Sequence, residues 1–199
     1  MRIIRIAVWT SAVALIWSGA AMAQGAKAGH MYVGTKRCKT CHNSEKGGAQ
    51  FTKWSESKHA KAFATLATPK ALEIAKAKGI ADPQKADECL SCHVTGHGKP
   101  ADMFKPTFAA ADGVGCESCH GPGSDYMKMK TMQGIRDKSI KGAELGLIEP
   151  NKKTCDTCHN EKSPTFKAWK DFAADSAKVG HAIPAGYKRG AAAAAEGAE

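Results

Sequence analysis

Four times in this chain a Cys-x-x-Cys pair is followed at once by histidine: Cys38–Cys41–His42, Cys89–Cys92–His93, Cys116–Cys119–His120 and Cys155–Cys158–His159. The four pairs use all eight cysteines. Two thiols at this spacing can form thioethers to the two vinyl groups of one porphyrin. The adjacent His then drops beneath the ring to ligate iron, which is the chemistry of c-type haem attachment. Structural zinc also uses Cys-x-x-Cys pairs but does not require His directly after the second Cys. Disulfides give no reason for that His, and iron–sulfur clusters need differently grouped thiolates. The residues therefore point to four haem c groups per chain.

The ends and the composition bound what holds those groups. Residues 1–23 read as a cleaved secretory signal peptide: Arg2 and Arg5 form the basic region, an apolar stretch runs from Ile6 to Trp17, and Ala21-Met22-Ala23 gives a small-x-small cleavage pattern. The apolar run is shorter than the roughly 20 residues that span a bilayer, so no integral membrane span is expected after cleavage. Export agrees with haem attachment on the oxidising side, and the expected location is the periplasm. The mature chain, of about 176 residues, is expected to form a single tetrahaem domain over 24–189. A low-complexity, disordered tail covers 190–199. At roughly 44 residues per haem the groups must lie close together and share walls, porphyrin surface supplying much of the buried apolar area.

The formal charge of +10 becomes about +8 without the leader, and four haems with ionised propionates take it to about +4 oxidised and about 0 reduced. Part of the lysine surplus is thus internal compensation, and part a docking surface for redox proteins. Nucleic acid is excluded as a partner, because the lysines are scattered and no recognition motif accompanies them.

The elements that must position the motifs are expected to be short helices joined by long loops, a mainly α class with four covalently attached, closely packed haems. Phe51, Trp54, Lys58, Phe63 and Leu66 lie near helical spacing, with His59 on the same face as Phe63. Thr68-Pro69 reads as N-cap and first residue of a helix to Lys78, with Gly79 beyond its end. Ser163-Pro164 repeats that signal for a helix to Lys178 containing Phe166, Trp169 and Phe172 and ended by Gly180. Met127–Lys141 is a weaker amphipathic candidate interrupted by Gly134. The stretches 97–106 and 113–123 read as loops, and no alternating strand pattern appears. The motifs are unevenly spaced, which argues against a tandem array.

Tyr32-Val33-Gly34 before Cys38, the run Trp54…Ser57-Lys58-His59-Ala60-Lys61-Ala62, and above all Gly113-Val114-Gly115-Cys116-Glu117-Ser118-Cys119-His120-Gly121-Pro122-Gly123 resemble the tetrahaem cytochrome c-554 family. The likeness runs through Cys155–Cys158–His159 to His181, over residues 32–185. It implies periplasmic electron transfer through haems packed in near-parallel or perpendicular pairs. The family's best-known member serves hydroxylamine oxidation during ammonia oxidation, and nitric oxide reduction has been suspected there.

Iron on His42, His93, His120 and His159 needs sixth ligands to be low-spin and fast in electron transfer, and four further histidines exist: His30, His59, His97 and His181. By the resemblance His59 is the distal ligand opposite His120, and His181 the one beside His159. For the haem on His42 the family places a histidine beyond the third motif, where this chain reads Asp125-Tyr126-Met127-Lys128-Met129 and has none. His30, folding back from the N-terminus, and Met129 are the two alternatives. His97 is too near His93 to reach the far face of the same haem and is expected to hydrogen-bond, to a propionate or as support for a ligand. The haem on His93 corresponds to the family's five-coordinate centre.

Three functions follow. The first is a periplasmic carrier passing electrons between redox partners. The second is a haem enzyme reducing a small nitrogen or oxygen species, such as nitric oxide, at the open haem on His93, with His97 as proton donor. The third is a subunit of a polymeric haem wire. No catalytic triad, nucleotide loop or carboxylate pair accompanies the motifs, so the carrier leads.

Overall fold

The computed structural model describes residues 29–187; the leader and the tail lie outside them. Among the described residues the chain is helical, with one isolated parallel bridge between Tyr32 and Phe104 in place of strands. The helices are α1 (Thr35–His42), α2 (Gln50–Glu56), α3 (Ala62–Thr65), α4 (Pro69–Ala77), α5 (Asp87–His93), α6 (Cys116–His120), α7 (Met129–Arg136), α8 (Lys152–Asp156) and α9 (Phe172–Ala177). The mainly α expectation holds. None of these helices is long and apolar enough to cross a membrane.

Local sequence explains where several helices begin. Thr68 accepts a hydrogen bond from the Ala71 amide and Pro69 stands at the first turn of α4, while Gly79 follows at φ +71°. Asn151 and Thr154 form a reciprocal capping box on α8. Asp171 caps α9 through the Ala174 amide.

Two expected helices are cut short. The run from Phe51 to Leu66 breaks after Glu56, so His59 sits in the turn between α2 and α3 and not on a helix face. The helix foreseen from Ser163 begins only at Phe172. Its early residues have other partners: the Trp169 indole donates to Asp156 at 2.8 Å and its ring lies 5.1 Å from that of His159. Those contacts outweigh helical periodicity. The weaker candidate at Met127–Lys141 contracts to α7, with Gly134 buried against Ile140.

The centre is a strap, His30–Gly34, threaded between the loops around the second and third motifs. Tyr32 donates to Met103 O and accepts from the Lys105 amide, and Met31 exchanges two bonds with Ser124. The Thr107 hydroxyl donates to Val33 O. Tyr32 stacks on Phe104 at 5.1 Å between ring centres. Tyr32 and Val33 are buried with Leu66, Ala75, Val94, Tyr126 and Pro83, a short apolar core for this length.

Candidate functional site

Each motif meets its histidine through one helical turn. The motifs end α1, α5 and α6 at His42, His93 and His120, whereas α8 stops at Asp156 and leaves Cys158 and His159 in the following turn. All eight cysteines are half-buried and none is in a disulfide.

The third motif is the hub. Its leading loop is clasped by the Trp54 indole, which donates to Val114 O at 2.9 Å, by His59 O, which accepts from the Val114 amide, and by Thr95. The buried Thr95 hydroxyl contacts Gly113 O and Ser118 and accepts from the Gly115 amide at 2.8 Å. Gly113 takes φ +69°, and a Cβ there would lie 2.9 Å from His59 O. Only glycine meets both demands. These contacts explain why this block is so particular in the sequence: three other segments close on its backbone.

The thiols of different motifs approach one another. The Cys38 and Cys116 side chains touch, joining motif one to motif three, and α1 packs on α6. Cys119 neighbours Cys155 and Cys158, joining three to four, and burial with those neighbours pushes its thiol up to about 11. Cys158 touches Cys92, joining four to two. These interactions link motif one to three, three to four and four to two.

Two pairs of imidazoles face one another. His59 and His159 have ring centres 6.0 Å apart at 87°, and His120 and His181 are 6.0 Å apart at 68°. With a metal–imidazole bond of about 2 Å and about 1 Å from nitrogen to ring centre, trans ligands of one iron stand about 6 Å apart. The spacing fits iron between each pair. Burial, then His159, holds His59 below the ordinary imidazole value, and burial, then His181, does the same for His120. Neutral imidazole is the ligating form.

This pairing is the reverse of the one implied by the resemblance. The physical reason lies in the segment after α9, which folds back over the turn following the first motif. Ala182 O and Pro184 line the space at Gly48, and the Tyr187 ring lies against Gly47. That path carries His181 toward motifs one and three, while His59 is left facing His159.

The remaining histidines are tied by hydrogen bonds. His93 Nδ1 sits 2.8 Å from Ala62 O, which leaves Nε2 for a metal. His97 Nε2 lies 2.9 Å from Asp87 at the start of α5, so its hydrogen-bonding role is realised toward a carboxylate of its own chain. His30 Nδ1 contacts Asp125 Oδ2 at 2.8 Å and its ring lies against Gly146. Met129 opens α7 and is 36% exposed. Sequence reading missed Asp87, Asp125 and Trp169, because each acts across a turn or loop whose path no periodicity reveals. Among the described residues no cluster of His, Cys, Asp and Glu is arranged for a bare metal ion.

A family model described as cytochrome c554 and c-prime matches residues 37–121. Over these residues the chain is similar to the cytochrome c-554 family. It is 32% identical over 143 residues to cytochrome c-554 of Nitrosomonas europaea, a match covering 64% of this chain and 57% of that protein. It is 30% identical over 112 residues to the multiheme cytochrome MtrA of Shewanella baltica, covering 52% of this chain and 31% of that one. The match therefore spans somewhat over half of the first relative and about a third of the second. No solved structure matches. The family match spans the first three motifs, and haem c is the group that the chain's cysteine pairs and histidines fit.

Proposed function

We propose that the chain binds four haems c and carries electrons between exported redox partners in the periplasm, through haems in the order one, three, four, two. The observation that carries this reading is the pair of facing imidazole couples at 6.0 Å, set along the continuous line of motif contacts. Bound haem supplies one-electron redox chemistry. The chain's own residues do the rest. The cysteine pairs anchor the ring edges, and His42, His93, His120 and His159 supply one ligand each. His59 stands opposite His159 and His181 opposite His120, with His30 the candidate for the iron on His42. His93 and His181 are oriented by carbonyls, the latter by Val179 O at 2.8 Å.

Docking is favoured at the first motif. α1 and α2 pack together and present Lys36, Arg37 and Lys53, with Lys46 between them and Lys58 and Lys61 just beyond, all exposed. Among the described residues none of these six is ion-paired, whereas Lys70, Lys85, Lys141, Lys152 and Lys178 each meet a carboxylate. An unneutralised basic rim steers an acidic partner. Intact mass with a pyridine haemochrome assay tests the reading: four haems on a chain starting at Gln24 is the expected result. Fewer than four would overturn it.

A second reading has its own observation. Among the described residues no second imidazole faces His93, and His97 is turned to Asp87. That haem would then be open to a small ligand such as nitric oxide. Low-temperature EPR with and without carbon monoxide decides between them. An entirely low-spin spectrum without ligand binding removes the enzyme.

A further inference from the structure

One charged side chain in the hub is used by none of the roles above. Glu117 lies between Cys116 and Cys119 and is 4% exposed. Its Oε1 accepts from the Val33 amide at 2.8 Å and the Gly123 amide at 2.7 Å, and its Oε2 accepts from the Gly34 amide at 2.8 Å. Three backbone amides thus converge on this one carboxylate. Among the described residues no Lys, Arg or His forms an ion pair with it, so its partners are backbone dipoles and not a counter-charge. The surroundings register it: Tyr32 is pushed up by burial and then by Glu117. Cys38 and Cys116, the touching thiols of motifs one and three, also lie in its field, behind their mutual contact and burial.

We propose that Glu117 is a fixed buried negative charge that lowers the reduction potentials of the haems on the first and third motifs, biasing an electron toward the fourth and second. The inference rests on the haem reading. Each electron added to a haem increases negative charge beside Glu117, and the repulsion is largest where the separation is smallest and water is excluded. The fourth and second motifs stand further along the line, so the charge divides the four haems into two groups. Glu117 acts as a positioning residue too, since it clamps the strap at Val33–Gly34 to the Gly121–Gly123 loop. A clamp alone would not set a potential.

The test is spectroelectrochemical titration of wild type, Glu117→Gln and Glu117→Asp, with haem content measured on each sample. The expected result is four haems in Glu117→Gln with two of the four potentials raised. Glu117→Asp, shorter but still charged, should lower thermal stability while keeping potentials near wild type. Four haems with unmoved potentials, an equal rise in all four, or the same rise in both variants would overturn the inference and leave the haem reading intact. A wild type lacking four haems would overturn that reading instead. If Glu117→Gln does not mature, wild-type protein with 13C-carboxyl glutamate is examined by redox-difference infrared spectroscopy. Glu117 is the one buried glutamate among the described residues, and its band is identified as the one absent from Glu117→Asp. An ionised band that shifts on reduction supports the proposal; a protonated carboxyl, or no shift, defeats it.

Discussion

His59 faces His159 and His120 faces His181, each pair with ring centres 6.0 Å apart. The four proximal histidines were legible because attachment chemistry fixes them one residue after a cysteine. The rings that face two of them were not, because His59 and His181 are brought in by loops whose path depends on contacts far along the chain, such as Pro184 on Gly48. The facing rings give a pairing test. In a chain whose fourth haem is removed by Cys155→Ala and Cys158→Ala, adding His59→Ala should create no further high-spin iron in EPR. Adding His181→Ala should create one, and the opposite outcome would restore the pairing implied by family likeness. The same residues predict a pH response. His59 and His120 are held low by burial first and by neighbouring imidazoles second. Unfolded imidazoles take up protons as pH falls through about 6.5, while the folded ones resist to lower pH. Their share of stability is therefore complete above that value and is lost as pH falls below it. Iron ligation acts in the same direction. Thermal midpoints should drop between pH 7.5 and 5.5, by less in His59→Ala than in wild type.

At the scale of elements, α4 was readable to within a residue because its start and stop are local: Thr68 caps, Pro69 pre-sets φ, and Gly79 ends the turn. The helix foreseen from Ser163 had an equally good start signal and failed, since Trp169 finds Asp156 and His159 instead. Periodicity describes what a segment can bury, not against what. Gly113 and Thr68 separate these two kinds of information. Thr68→Ala removes one cap and should cost about 1 kcal/mol, read as a small fall in thermal midpoint with the haem spectrum unchanged. Gly113→Ala should do more. It forces a Cβ to 2.9 Å from His59 O at φ +69°, and that carbonyl belongs to a candidate ligand. The expected result is a larger midpoint fall accompanied by weakened low-spin signal from one haem. A Gly113→Ala spectrum identical to wild type would mean that the loop does not position His59.

At the scale of the whole molecule, few apolar side chains are buried among the described residues, and the motifs are linked in an order that the chain itself does not follow. Contact order one, three, four, two arises because the third motif is the hub on which the strap, α1 and the Thr95 segment converge. In the proposed electron line motifs one and two are the ends, and the charges around them differ. Lys36, Arg37 and Lys53 on α1 and α2 are exposed and form no ion pair among the described residues, while α5, which carries the second motif, opens on Asp87 and Glu88. A long-range field should therefore act on the first-motif end. Replacing Lys36, Arg37 and Lys53 with glutamate should slow exchange with an acidic redox partner by about tenfold at low ionic strength. The difference should fade as salt shortens the Debye length from about 10 Å at 0.1 M to about 3 Å at 1 M. The control carries the same change in net charge at Lys162, Lys167 and Lys170, near the fourth motif. If stopped-flow rates fall equally in both triple variants, net charge alone is responsible and the first-motif docking site is wrong. If only the first triple slows, electrons enter or leave at the basic end.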